Sequence, residues 1–507
     1  MTAVILTFIS WIYVLISIPL SIYGINLFLF TIIFWRRRWQ LRRAAPVEAQ
    51  ALRQAQRADP WQPEWPIVTV QLPFYNEQIV AGRVIDAVAN LDYPLDCLQI
   101  QALDDSTDIS QQIVAERVEY WQKQGRWISF HHRSDRRDYK AGALRSGLAT
   151  AQGEFIAIFD ADFVPPADWL KRTVSPFLQP GSERIGMVQT RWAYLNDAYS
   201  LLTRAQALAF DGVFGVQQNA CEIAGLFTNF NGSAGMLRRR CIEEAGNWRG
   251  DTLVEDLDLS YRIQLCGWRL HYLEDVSAPA ELSPLMVGFK RQQFRWAKGS
   301  IQVLRLLGLQ IWKSQASLFR RMQAIVFLSS YLAHPLMILL LLLTLPLHSF
   351  WRGYLSHLPM AWLGVFSMGV PLFYATSQWA LHGQDGWWRW LLRMPLLFIL
   401  GIGIAVNNSK AVLEALIGKA SAFERTPKTG VTQEHSPIIP QVKEKLKIEA
   451  LTWIELVLFL YAIGTVALLA SQANWYGMYF IGMYVIGLGW VALESVFEAF
   501  TSARSGA

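Results

Sequence analysis

The first 35 residues, Met1 to Trp35, contain no charged side chain, and Arg36, Arg37, Arg38, Arg42 and Arg43 follow at once. A secretory leader would place its basic residues before a shorter apolar core. Here the apolar run is long enough to cross about 30 Å of hydrocarbon, and the arginines come after it. The positive-inside rule then puts the N-terminus outside and the arginines in the cytosol. Four further long stretches are free of charge: Met322 to Phe350, Gly353 to Gln384, and two within Leu456 to Leu493, where Ser471, Gln472 and Asn474 mark a turn. Each is expected to span once, giving five spans and a multi-pass membrane protein. Hydrophobic residues make up 52% and charged residues 17%, below the roughly 25% charge of a soluble domain. Those values exclude a disordered chain.

Two apolar segments are expected to lie on the membrane and not in it. Met394 to Ser409 is short for a span and is flanked on both sides by basic residues (Arg389, Arg393, Lys410, Lys419), so it reads as flat at the cytosolic interface, with a sixth span as the alternative. Arg291, Arg295, Lys298 and Arg305 recur near helical spacing among Phe294, Ile301, Leu304 and Leu307, the pattern of a basic amphipathic helix on a lipid surface. The four cysteines are widely separated, without metal spacing, and read as reduced thiols. A net charge of +6 is too mild to argue for nucleic acid as a partner.

Between Pro66 and about Ser283 the chain reads as a cytosolic α/β domain. Residues 67–72, 98–103 and 155–159 are short apolar strands, and helical stretches at 79–91 and 109–124 lie between them. Alternating strands and helices predict a parallel sheet covered on both faces. The first strand runs into Tyr75-Asn76-Glu77, the second into Asp104-Asp105-Ser106, the third into Asp160-Ala161-Asp162. Ligands bind beyond the carboxyl ends of such strands. The sequence has neither a GxGxxG nor a Walker A loop before a helix, so a diphosphate would be held through a metal. Asp160 and Asp162 could ligate a divalent cation or serve as turn acids; Asp105 could contact a nucleotide; Asp108 could simply cap a helix. Lys140 suits a phosphate contact. Asp256, with Glu255 beside it, sits in apolar surroundings that would raise a carboxyl toward general-base range. Gln292, Arg295 and Trp296 share one helical face, suited to a diphosphate and a sugar ring.

Taken in order, Asp105, Asp160-Ala161-Asp162, Glu255-Asp256 and Gln292-Gln293-Phe294-Arg295-Trp296 resemble the D, DxD, [TE]D and QxxRW series of processive family-2 glycosyltransferases, the cellulose synthase superfamily. Tyr139-Lys140-Ala141-Gly142, Phe230-Asn231-Gly232-Ser233-Ala234-Gly235 and Phe423-Glu424-Arg425-Thr426-Pro427-Lys428 are similar to the cellulose-synthase-like A and C groups and their bacterial relatives. The resemblance runs from about Val68 to Lys428. It implies a cytosolic GT-A (Rossmann-like) domain at 66–283 with interfacial helices (284–321 and part of 384–452) and an α-helical transmembrane bundle, and a basic linker at 36–65. It further implies that Asp105, Lys140, Asp160, Gln292 and Arg295 bind the nucleotide sugar. Asp162 with Asp160 would ligate Mg²⁺ or Mn²⁺, and Asp256 with Glu255 would be catalytic. Trp296, Gly232 and Ser233 would border the acceptor, and Phe423, Arg425 and Thr426 would form a gating loop. The expected reaction is inverting transfer of hexose to a β-linked polysaccharide that is then exported. UDP-glucose is the favoured donor, with GDP-mannose and GDP-glucose as alternatives. Single addition to a membrane lipid, giving a glycolipid, is the second reading. Val254 departs from the Thr of the best-known members. A bacterial inner membrane is the expected location ahead of the Golgi.

Overall fold

The computed structural model describes residues 2–58, 64–350, 368–383, 388, 391–421, 423–431 and 448–505. Seven strands form one sheet in the order β3-β2-β1-β4-β6-β5-β7. They are β1 (Val68–Phe74), β2 (Leu98–Asp104), β3 (Ile128–His132), β4 (Phe155–Ile158), β5 (Ile185–Tyr194), β6 (Gly235–Arg238) and β7 (Arg269–Ala280). The three expected strands are present within two residues at each end. The sheet is mixed, however, because β6 runs antiparallel between β4 and β5. The four residues of β6 follow directly from the Gly232-Ser233-Ala234 turn, which has positive-φ backbone at Gly232 and Ala234.

Every residue of β2 and β4 is buried, as two covered faces require. On one face α2 (Ala81–Ala89), α3 (Ser110–Lys123) and α5 (Trp169–Val174) pack around Val70, Leu72, Ile100 and Phe159. On the other, α4 (Tyr139–Thr150) comes close because it presents Ala141, Ala143 and Gly147 to the strands. A buried ladder is satisfied beneath it: Thr69 donates to Gln99 at 2.7 Å and Gln71 to Gln101 at 3.0 Å. Strand β1 is the point where chain order reverses, between β2 and β4, so the crevice for a ligand opens at its carboxyl end.

The first helix, α1 (Thr2–Ala58), does not stop at the arginines; the expected linker at 36–65 continues it as far as Ala58. Phe30 and Phe34 of α1 pack on Val216 and Ala220, which lie in the helix running from α6 (Leu201–Gly212) through a π-helical turn (Val213–Gln217) into α7 (Gln218–Ile223). Then come α8 (Arg239–Glu244), α9 (Glu255–Leu265), α10 (Met286–Lys313), α11 (Leu318–Leu328) and α12 (Ala333–Phe350). Beyond them lie α13 (Gly369–His382), α14 (Met394–Gly403), α15 (Ala405–Leu416), α16 (Ala450–Ser471) and α17 (Trp475–Ser505).

Among the described residues four helical stretches are long and apolar enough to cross a membrane: Phe8–Gln40, Ser330–Ser349, Ala450–Ser471 and Trp475–Ser502. They match four of the five expected spans. The remaining one, 353–384, lies half outside the described residues, with α13 in view. Met394–Ser409 is not one flat helix. It breaks between α14 and α15, which meet at a bend of 48°. At Gly403 a side chain would collide with the Gly487 carbonyl of α17, so the missing Cβ lets these helices touch backbone to backbone.

The basic face of α10 also differs from expectation. Lys298 is fully buried and pairs with Glu414 of α15 at 2.9 Å, with Ser421 also in reach. Lys290, equally buried, pairs with Glu455 of α16 at 2.8 Å. Arg305 donates to the Ala415 carbonyl. Lys290 and Lys298 are thereby turned inward and join α10 to α16 and α15, while Arg305 stays exposed. Removing one partner of a buried pair costs about 3–5 kcal/mol, whereas replacing both with apolar residues is often neutral. Glu414→Ala is accordingly expected to lower the unfolding midpoint of the detergent-solubilised protein markedly. Lys298→Met with Glu414→Leu should restore most of it.

Candidate active site

The acidic strand ends and the face of α10 converge on one open cleft. Asp105, Lys140, Asp160, Asp162, Gly232, Glu255, Asp256, Gln292, Arg295, Trp296, Phe423, Arg425 and Thr426 all line it. Ser233 does not. It is fully buried behind the wall, where its hydroxyl accepts from the Asp160 amide at 2.9 Å. The residue expected beside the acceptor is thus a brace for Asp160.

Lys140 stands in the first turn of α4 and reaches across the strand ends. Its ammonium donates to Asp160 Oδ1 at 2.6 Å and to the Gly232 carbonyl at 2.8 Å. Burial would raise the Asp160 pKa, but the surrounding cations, Lys140 first and then Lys428 and Arg295, together outweigh it and hold the group below the usual carboxylate range. Asp256, in the first turn of α9, has the opposite fate. Desolvation at the cleft wall, reinforced by the adjacent Glu255 charge, pushes its pKa up to about 7 despite the nearby Lys140. Gly232 makes room for it: with φ at +78°, a Cβ there would lie 2.7 Å from Asp256 Oδ2. Val254, in the position of the family's Thr, packs against Gly299 of α10 and takes no part in the cleft's polar contacts.

Asp105 is held by a two-pronged pair with Arg133, at 2.8 Å from Nε and 2.5 Å from Nη2. Asp108 accepts from the Ser110 amide at 2.9 Å, which is the helix-start role. Asp258 is buried against Arg262 at 2.7 Å.

On α10, Arg295 donates to Thr426 at 3.3 Å and lies 4.4 Å over the Phe423 ring. Gln292 Oε1 and Arg295 Nε are buried with no hydrogen-bond partner among the described residues. Both line the cleft, as polar groups suited to a ligand would. Trp296 meets Phe210 edge-on at 5.7 Å, and Phe210 and Phe214 flank Trp192 at 5.4 and 5.3 Å. The result is an aromatic wall continuous with the acidic centre.

The segment 423–431 closes over the strand ends. Phe423 stacks on Tyr139 at 5.4 Å, and Arg425 donates to the Tyr75 and Asn76 carbonyls. Lys428 bridges Asp162 at 2.8 Å and Glu77 at 2.9 Å. Glu281 accepts from the Thr429 amide at 2.8 Å and the Gly430 amide at 3.0 Å. Glu77, Glu281, Arg133 and Lys428 were not singled out by sequence reasoning. For Glu77 a signal existed, since it follows β1 in Tyr75-Asn76-Glu77, and for Lys428 in the Phe423–Lys428 motif; Glu281 and Arg133 are paired only by the fold.

For a divalent cation the donor set is informative. Asp162 and Glu77 converge on a single ammonium, so two carboxylates can face one cationic centre. Among the described residues no group of three or more His, Cys, Asp or Glu side chains could enclose a bare ion. That set fits Mg²⁺ or Mn²⁺ arriving on a diphosphate, which keeps phosphate and water ligands and needs only one or two carboxylates.

Residues 155–406 match the family model described as glycosyl transferase family group 2. The chain carries a family-2 glycosyltransferase domain. In rice (Oryza sativa subsp. japonica), probable glucomannan 4-beta-mannosyltransferase 7 is 44% identical over 252 residues, 49% of this chain and 43% of that protein. Glucomannan 4-beta-mannosyltransferase 1 of the same plant is 40% identical over 50% of this chain and 49% of its own. The match thus spans less than half the length of these curated relatives. These are plant proteins, and they lend no support to a bacterial inner membrane. Among solved structures, the mannosyltransferase PcManGT from Pyrobaculum calidifontis, in complex with GDP-Man and Mn²⁺, aligns at 21% identity and a TM-score of 0.47, covering 79% of this chain and 100% of that one.

The family-2 cleft generates a prediction at Gly232. A side chain there must adopt positive φ, at about 1–3 kcal/mol, and displace the Asp256 carboxylate. Gly232→Ala should lower kcat by about 10- to 100-fold, taking tenfold per 1.36 kcal/mol. Thermal unfolding should shift by only a few degrees.

Proposed function

We propose that this chain is an inverting hexosyltransferase that moves a sugar from a nucleoside diphosphate sugar to the hydroxyl of a growing β-linked glycan at the cytosolic membrane face. The observation that carries the reading is the position of Asp256, a carboxyl with a pKa near neutrality, opposite Arg295 and beside the Asp160–Lys140 pair in one cleft. Mannose is the proposed sugar and GDP-mannose the first donor to test, because the curated relatives are named as mannosyltransferases of glucomannan. UDP-glucose, favoured by the motifs alone, gains nothing from those names.

In the proposed reaction Asp256 takes the proton of the acceptor hydroxyl as its oxygen bonds to the anomeric carbon. The bond from that carbon to the diphosphate breaks, and its electron pair leaves on the phosphate oxygen. Arg295 and Gln292 meet the charge developing there. Lys140 orients Asp160, while Asp105 with Arg133 faces the nucleoside. Trp296, with Phe210 and Trp192, offers a flat platform to the acceptor. A divalent cation at Asp162, with Glu77 near, would add further stabilisation of the departing diphosphate. In-line displacement on an α-linked donor gives a β-linked product. Segment 423–431 encloses the donor, with Phe423, Arg425 and Thr426 facing it.

Membranes given labelled GDP-mannose, GDP-glucose or UDP-glucose should yield an insoluble β-linked polymer from GDP-mannose. Label appearing only as a single sugar in the lipid extract would establish the glycolipid reading instead, and no transfer from any donor would refute both. The base must be ionised to act. Log(kcat/KM) should therefore rise with unit slope below pH about 7 and level off above it. Asp256→Asn should abolish that slope and lower kcat by about 10²–10⁴-fold.

A further inference from the structure

The helix that carries Gln292, Arg295 and Trp296 has no cap of its own. Its N-cap residue, Leu285, is extended and apolar, and the first turn of α10 contains no acid. The first amides of a helix lack internal partners, and they carry the positive end of its dipole. In α10 two of them are satisfied from the far end of the chain. Glu498, on the last membrane-facing helix α17, accepts from the Met286 amide at 2.5 Å through Oε1 and from the Val287 amide at 3.0 Å through Oε2. Its side chain is buried, so both oxygens depend on these bonds.

We propose that Glu498 is a positioning residue for glycosyl transfer, fixing α10 along its axis so that Arg295 and Trp296 stand at the reacting centre. Gln292, Arg295 and Trp296 follow Met286 by six, nine and ten residues, about 9–15 Å along a stiff helix. A shift at the capped end is therefore carried to them. Asp105 and Asp160 stand just past the ends of β2 and β4, and Lys140 in α4, so none of them is carried by α10. The inference rests on the roles proposed above for Arg295 and Trp296. It separates donor binding at the strand ends from the transition-state contacts made by α10.

The test uses the full-length protein in nanodiscs, with GDP-mannose as donor, and reads kinetics together with amide hydrogen exchange. Glu498→Ala should lower kcat about tenfold while donor KM changes by less than about threefold. The Met286 and Val287 amides should exchange faster, and those of β1 and β4 should not. Glu498→Gln keeps an acceptor oxygen, and kcat should recover to within about threefold of the parent. Faster exchange at Met286 and Val287 with unchanged kcat would overturn the proposal, leaving the cap structural. Unchanged exchange would remove the cap itself. If Glu498→Ala loses exchange protection throughout the sheet, the Gln variant decides: kcat as low as in a general base knockout, with its sheet intact, contradicts the rescue. Exchange is measurable without any turnover, so a wrong donor assignment would leave the cap's fate readable.

Discussion

The arrangement of this protein depends on how α10 is held. The helix presents Gln292, Arg295 and Trp296 to the cleft and two buried lysines, Lys290 and Lys298, to neighbouring helices. Each lysine finds one carboxylate on a different membrane-facing helix, Glu455 of α16 and Glu414 of α15. Buried ion pairs contribute little net stability, because desolvation offsets their attraction. What they impose is direction, since a lysine without its acid could not remain there. The pairs therefore fix the rotation of α10, and with it which residues face the strand ends. The sheet supplies the acids and the membrane-facing helices supply the orientation of the arginine and tryptophan opposite them.

Within the cleft the same physics sorts carboxylates into two kinds. Asp105, Asp160 and Asp162 each lie against a basic side chain, Arg133, Lys140 and Lys428. Among the described residues Asp256 has no such direct partner, only a backbone amide at 2.8 Å, and its neighbour Glu255 repels its charge. Desolvation then dominates, and its carboxyl is the one shifted toward neutrality. Paired acids can organise a donor, and the unpaired acid is free to take a proton. Lys428 adds a built-in cation at the point where two carboxylates converge, so segment 423–431 complements the charge of the centre it covers.

Much of this was legible in the residues because the chemistry is local. Strand ends such as Leu103-Asp104-Asp105 and Phe159-Asp160 combine a buried apolar run with an acid, and the fold and cleft follow from them. The Gln292, Arg295 and Trp296 face was equally plain from helical spacing. What could not be read were properties decided by distant partners. Lys298 looks like a surface cation until Glu414, 116 residues away, buries it. Ser233 looks like a cleft residue until the antiparallel β6 turns it inward. Arg36 to Arg43 look like the start of a linker, yet α1 continues through them to Ala58. In each case local sequence fixes polarity, and the tertiary partner decides burial.

One stereochemical consequence does not depend on which acceptor the protein uses. In the proposed reaction Asp256 lies on the acceptor side and Arg295 receives the diphosphate, so attack and departure would occur on opposite faces of the anomeric carbon. The decisive measurement is the anomeric configuration of the first product, read by proton NMR after reaction of the purified full-length protein with an α-linked GDP-mannose donor. A β-linked mannosyl product is predicted; an α-linked product would contradict the assignment of Asp256 as the base of a single displacement.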